Sequence, residues 1–223
     1  MPKRKSPLTI GRFGEDVLDA LRLELGARGI DFRGSFASGQ IDDYSDVDVC
    51  AKVHAELNRD FYDRVIGCLE ARFGAASVRY VPDQRHNPQA QNLRISFYDL
   101  PVFWRIDLDI ESSCPTERKW PDPFPEWSLR QSAFWNLVWA VKYARRGQAR
   151  EQSDHYVACA CEKLGRPSAF YSEDHVLALL ADLEACEDTD TRFIEKLRDE
   201  LEQAPRPTRR RARGDAPGAS ETT

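Results

Sequence analysis

The stretch RGSFASGQIDDYSDVDV, Arg33 to Val49, sets a Gly-Ser pair ten residues ahead of an Asp-Val-Asp triplet. From Asp46 the residues alternate: Asp46 and Asp48 are polar, while Val47, Val49, Ala51 and Val53 are apolar. Period-two alternation marks a strand with one face in a core, here expected over Val47 to Val53. Both carboxylates then leave the same face, side by side, and repel each other unless a cation lies between them. Magnesium, a hard ion that prefers carboxylate and phosphate oxygens, suits that place. Gly34 ends a short expected strand, Ile30 to Arg33, and Ser35 begins a short helical turn. Free backbone N–H groups and the Ser35 hydroxyl can therefore meet a phosphate, and Gly34 lets it approach the backbone.

The flanking sequence gives this stretch a sheet to belong to. Phe13, Val17, Leu18, Leu21 and Leu25 recur at helical spacing, which predicts a helix over residues 12–27 that stops before Gly29. Leu57, Phe61, Val65, Cys68 and Leu69 mark a second helix. Further strands are expected at Val78 to Val81, in LRISFYDL and in VFWRIDLDI, the last two split only by Pro101 as in a hairpin. In RIDLDI, Asp107 and Asp109 share a face and alternate with Ile106, Leu108 and Ile110, so a third carboxylate is available to the cleft. The segment CPTERKWPDPFPEW holds four of the thirteen prolines and reads as a linker. Beyond it the periodicity is wholly helical, in FWNLVWAVKYARR, HYVACACEKL, DHVLALLADLEA and TRFIEKLRDELEQ. The expected class is α+β: a small mixed sheet with flanking helices over 1–118, an all-α domain over 119–203, and a disordered basic tail over 204–223.

Composition narrows the partners. With 223 residues and 41% hydrophobic content the chain can build a core. Its net charge is −5, and Lys3, Arg4, Lys5 and the Arg-rich tail hold eight of the 32 lysines and arginines against only two carboxylates, so the body between them is more acidic still. Such a surface repels a phosphate backbone and attracts cations, which disfavours nucleic acid as the default partner. No apolar run approaches the roughly 20 residues of a membrane span, and MPKRKSPLTI has no apolar stretch like that of a secretory signal. The expected location is the cytoplasm. Six cysteines at irregular spacing, without a C-x-x-C pair, read as free thiols.

Gly-Ser, ten residues, Asp-x-Asp on one strand and Asp on a later strand resembles the nucleotidyltransferase superfamily, which includes DNA polymerase beta and the aminoglycoside and lincosamide nucleotidyltransferases. The likeness spans roughly residues 30–112. The first part of the motif arises by chance in a chain of this length on the order of 10⁻³ of the time. Arg105-Ile106-Asp107 is similar in form to the family's third-carboxylate strand. The resemblance therefore implies that Asp46, Asp48 and Asp107 are catalytic and hold two magnesium ions, with Asp109 the second choice for the third position. It implies that Gly34 and Ser35 bind the phosphates of a nucleoside triphosphate, most simply ATP. The helix FWNLVWAVKYARRG resembles the first helix of the helical domain in streptomycin-type adenylyltransferases, which gives Lys142 a place facing the triphosphate. A carboxylate general base or acceptor contact near the domain junction is implied, for which Asp109 and Glu126 are available.

The implied reaction is transfer of a nucleoside monophosphate to a hydroxyl of a small molecule, such as a cationic aminoglycoside, with release of pyrophosphate. The alternatives are modification of a tRNA or partner protein, as toxin and antitoxin nucleotidyltransferases do, and a non-catalytic nucleotide-binding module. Other residues carry plainer readings. Asp42 and Asp43 are turn-formers. Trp135, Trp139 and Tyr143 are core packing, and so is His155 near Cys159 and Cys161. Lys142 and Arg145 lie on a solvated helix face or contact phosphate.

Overall fold

The computed structural model describes residues 8–26, 29–80, 90–114, 128–186 and 189–203. Helix α1 (Ile10–Leu25) opens on Thr9, whose hydroxyl accepts from the Arg12 N–H, and buries Phe13, Val17 and Leu21. It stops at Gly26 in a left-handed turn, ahead of the expected stop at Gly29. Strand β1 (Ile30–Phe32) and the short helix α2 (Gly34–Ser38) lead to β2 (Val47–Val53). Helix α3 (Arg59–Phe73), capped by the Asn58 side chain, precedes β3 (Ala76–Tyr80), β4 (Ala90–Phe97) and β5 (Arg105–Ser112). The strand expected at Val78 thus begins two residues earlier, and Val81 lies outside the described residues.

The sheet order is β1-β2-β5-β4-β3. Strands β2 and β5 run parallel, while the other neighbours are antiparallel. Parallel neighbours need a long crossover, which α3, β3 and β4 provide. The link between β4 and β5 is not the tight turn at Pro101 that the sequence suggests. Residues 98–104 form it, and Val102, Phe103 and Trp104 are buried there as core rather than as strand.

One sheet face is apolar throughout, with Val47, Val49, Ala51, Leu93, Ile95, Ile106, Leu108 and Ile110 at 0–1% exposure. The Phe13 ring sits 4.9 Å from Phe73, 6.1 Å from Phe97 and 5.7 Å from Trp104, which locks α1 and α3 onto that face. Full burial of a side chain of that size contributes about 1.5–3 kcal/mol. The opposite face carries the residues of the other parity, including Asp48, Asp107, Asp109, Asn92 and Arg94.

Four helices follow: α4 (Leu129–Arg145), α5 (Arg150–Lys163), α6 (Glu173–Glu184) and α7 (Thr191–Glu202). Helix α4 begins in a reciprocal cap in which Ser128 accepts from the Gln131 N–H and the Gln131 side chain accepts from the Ser128 N–H. It is buried nearly all round. Leu137, Ala140 and Val141 join the helical core, while Trp135, Trp139 and Lys142 line a cleft with Asp46 and Arg105. Helix α7 docks on the β4–β5 link: Lys196 Nζ donates to the Phe97 and Leu100 carbonyls at 3.2 and 2.6 Å, and Phe193 stacks on Tyr98 at 5.0 Å.

With one mixed five-stranded sheet and seven helices among the described residues, the class is α+β. The expected boundary at 118/119, the proline-rich linker and the basic tail lie outside the described residues. Among the described residues no helix is long and apolar enough to cross a membrane.

Candidate functional site

Three carboxylates meet where β2 and β5 lie side by side. The parallel register puts Asp48 opposite Asp107, and Asp46 precedes Asp48 by one pleat. One carboxylate oxygen from each of Asp46, Asp48 and Asp107 lies within 4.8 Å of the other two, so the cluster could hold a metal ion. Hard oxygen donors in this number suit magnesium, manganese or calcium. The sequence leaves Asp107 and Asp109 open as the third member, and the geometry brings Asp107 to the pair. Asp109 lies one pleat farther on, paired with Arg33 and with the Asn92 amide.

The triad is unevenly neutralised. Lys142 Nζ donates to Asp46 Oδ1 at 2.8 Å and lies over the Trp139 ring at 4.1 Å. Arg105 donates to both Asp107 oxygens, at 2.8 and 3.2 Å, reaches Asp46 at 4.0 Å, and is held under Trp135 with 4.8 Å from guanidinium carbon to ring centre. Arg94, across the sheet from Asp107, pairs with it as well. Among the described residues Asp48 has no ion-pair partner.

The titration behaviour follows this division. Burial pushes the Asp46 carboxyl up, but Lys142 and Arg105 together outweigh it and hold Asp46 below the ordinary range. Burial draws Lys142 down despite its contact with Asp46. Asp48 is pushed up to about 6 by burial and by the charges of Asp46 and Asp107. An acid whose carboxyl is raised in the fold stabilises the fold while protonated and loses that contribution as it ionises. In metal-free protein, therefore, the melting temperature is expected to fall as pH rises from about 4 through about 6. Magnesium binds the ionised form and is expected to raise the melting temperature more at pH 7.5 than at pH 5. Scanning calorimetry across this range with and without the ion checks the sign, and a metal-free melting temperature that climbs through the window counts against it.

Gly34 is built for closeness to this cluster. Its φ is +55°, and a Cβ there would run into the Asp48 carboxylate. Ser35, in the first turn of α2, has a buried Oγ without a hydrogen-bond partner. Arg33, which caps the start of α2 next to Gly34, donates its N–H to the Asp48 carbonyl at 2.8 Å, which fixes the entry of α2 beside the triad.

Several expectations change. Lys142 is 4% exposed and sits on Asp46, so it lies on no solvated face. Arg145 is also withdrawn from solvent: its guanidinium donates to the Glu200, Leu201 and Gln203 carbonyls and closes the end of α7. His155 is exposed and touches Tyr156 edge-on, so it is not core packing. Trp135 is buried, whereas Trp139 and Tyr143 are half-buried and stack with each other and with Tyr156. Asp42 does form the turn, accepting from Tyr44 N–H and Ser45 Oγ, and it also takes both arms of Arg146 at 2.7 and 2.8 Å. Asp43 contributes its carbonyl to Trp104 Nε1. All six cysteines are free. Glu126 lies outside the described residues.

Arg33, Arg94 and Arg146 are the site neighbours that sequence reading missed. Arg94 had a signal: matching Leu93, Ile95 and Phe97 to Ile106 and Leu108 as one apolar face puts Arg94 on the same polar face as Asp107 and Asp109. No protein-family model matches the chain, and no curated protein matches it.

Proposed function

We propose that the chain is a metal-dependent nucleotidyltransferase that moves a nucleoside monophosphate, AMP in the simplest case, from a nucleoside triphosphate to a hydroxyl of a small molecule. The observation that carries this reading is the meeting of Asp46, Asp48 and Asp107 within 4.8 Å on adjacent parallel strands, with Gly34 pressed against Asp48. The likeness of the motif to the nucleotidyltransferase superfamily supports it, and so does a sheet with the helical half packed at the carboxylate end.

The donor set fits magnesium, because burial and the charges of Asp46 and Asp107 outweigh Lys142 and Arg33 at Asp48, which has no ion-pair partner among the described residues. Asp46, Asp48 and Asp107 would hold magnesium, which when bound would supply positive charge to the triphosphate and lower the pKa of the acceptor hydroxyl. Arg105 keeps Asp46 and Asp107 at fixed separation. The Ser35 hydroxyl and the open backbone of α2 bind outer phosphate oxygens. Lys142, seated on Asp46 at the mouth of the helical half, places positive charge beside the transferring group. The acceptor oxygen forms a bond to the α-phosphorus as the bond from that phosphorus to the bridging oxygen breaks, and pyrophosphate departs with the bond's electrons. Asp109 is engaged by Arg33 and Asn92, so the hydroxyl proton goes to water.

The test is incubation of the protein with each of the four nucleoside triphosphates, magnesium and a panel of hydroxyl-bearing small molecules. Pyrophosphate release and a product heavier by one nucleoside monophosphate are expected for at least one pairing, and both are lost with chelator. Metal-dependent triphosphate binding that is absent for all four nucleotides sinks the reading.

A further inference from the structure

One pleat beyond the triad, on the same sheet face, lies a second polar cluster. Asp109 faces Asn92 across β4 and Cys50 across β2. Arg33 reaches over β2 from the end of β1 to pair with Asp109, and Arg94 stands beside them on Asp107. Asn92 is 5% exposed, gives its amide to Asp109 and leaves its Oδ1 buried without a donor. Asp109 and Arg33 keep side-chain exposures of 24% and 47%, so the cluster opens to solvent beside the triad.

The charges of this surface cancel locally. Asp46, Asp48, Asp107 and Asp109 are matched by Arg33, Arg94, Arg105 and Lys142, so the acidity of the chain as a whole does not concentrate here. A polycation brought to this face meets as many positive as negative groups. What the cluster offers instead is a set of planar, hydrogen-bonding groups: a carboxylate and an amide carbonyl that accept, beside two guanidinium groups that donate. Neighbouring hydroxyls on a ring, each both donor and acceptor, complement such a set. Two residues along a strand span about 6.6 Å, about the width of a sugar ring, so a ring gripped at Asp109 presents a hydroxyl at the triad.

We infer that Asp109, Asn92 and Arg33 form the acceptor subsite, and that the acceptor is a neutral polyhydroxylated molecule, a sugar or cyclitol with adjacent hydroxyls, rather than a polycation. This inference rests on the nucleotidyltransferase reading. It replaces the cationic acceptor that the net charge of the chain suggests.

The experiment uses the full chain with magnesium and a triphosphate that calorimetry shows it to bind. Neutral sugars and cyclitols are compared with aminoglycosides of similar size as acceptors, by product mass and pyrophosphate release. Adducts are expected on the neutral compounds, with the aminoglycosides at least ten-fold poorer in kcat/KM. With the best acceptor, Asp109→Asn and Arg33→Ala are each expected to raise acceptor KM at least ten-fold, while triphosphate affinity stays within about two-fold of the parent. Preference for aminoglycosides, or variants that shift triphosphate affinity and leave acceptor KM unchanged, overturns the subsite while the transferase reading stands. Failure of the parent protein to bind any triphosphate with magnesium overturns both.

Discussion

Asp48→Asn is expected to make the metal-free protein more stable and at the same time to abolish its function. Asp48 is the triad member without a cation of its own among the described residues, and its charge is opposed by burial and by Asp46 and Asp107. An amide of the same shape removes that repulsion and breaks no ion pair, so at pH 7.5 the melting temperature in chelator rises. The same change deletes one of three hard ligands, so magnesium no longer raises the melting temperature and metal-dependent triphosphate binding is lost. Turnover is expected to fall roughly 10³-fold or more, equivalent to about 4 kcal/mol of transition-state stabilisation. Thermal melts with and without magnesium, together with calorimetric titration of triphosphate, read all three effects. A variant that is less stable in chelator, or that keeps metal-dependent binding, is incompatible with the proposed role.

Lys142→Met carries the opposite sign. Removing this ammonium strands Asp46, whose side chain is only 13% exposed, with Arg105 left at 4.0 Å as partial compensation. Breaking a buried pair by deleting one partner costs about 3–5 kcal/mol, and the residual arginine places this case near the lower end. For a domain of this size that is a fall on the order of 6–12 °C in melting temperature. Two controls separate the ion pair from mere packing. The double change Lys142→Met with Asp46→Asn removes both charges and is expected to recover most of the loss. Magnesium, which can neutralise Asp46 from the other side, is expected to rescue the single variant more than it stabilises the parent. If neither control restores stability, the pair is not what holds the two halves together at this point.

The contrast between these residues shows what the sequence makes visible. Asp46 and Asp48 are legible because strand alternation is local: Val47 and Val49 report the core face, and the carboxylates must take the other. The third carboxylate required knowing which strand lies beside β2, and alternation left Asp107 and Asp109 equivalent until the parallel register set Asp107 against Asp48. Lys142 illustrates the harder problem. On a helix its spacing fits solvent, phosphate or core alike, and its partner lies 96 positions away. The β4–β5 link shows how one residue of register matters. A turn centred on Pro101 would pair Arg94 with Leu108, whereas the longer link through residues 98–104 pairs it with Asp107. That slip moves every side chain to the other face, and the VFW segment buried in the link reads as strand in the sequence.

Helix α4 has a consequence for anyone who would transplant this fold. Its cap at Ser128 starts a rod that ends in Lys142 on Asp46 and Arg146 on Asp42, while Trp135 and Trp139 stack over Arg105 from the middle. Part of the electrostatic ground of the acidic cluster, the ammonium on Asp46, is thus supplied from outside the sheet that bears it. A chimaera that grafts the sheet onto a foreign helical half keeps Arg94 and Arg105 on Asp107 but leaves Asp46 without its ammonium and Arg105 without its aromatic cover. To be viable it must import a lysine at the position of Lys142 and an aromatic roof for Arg105, whatever else it changes in the recipient.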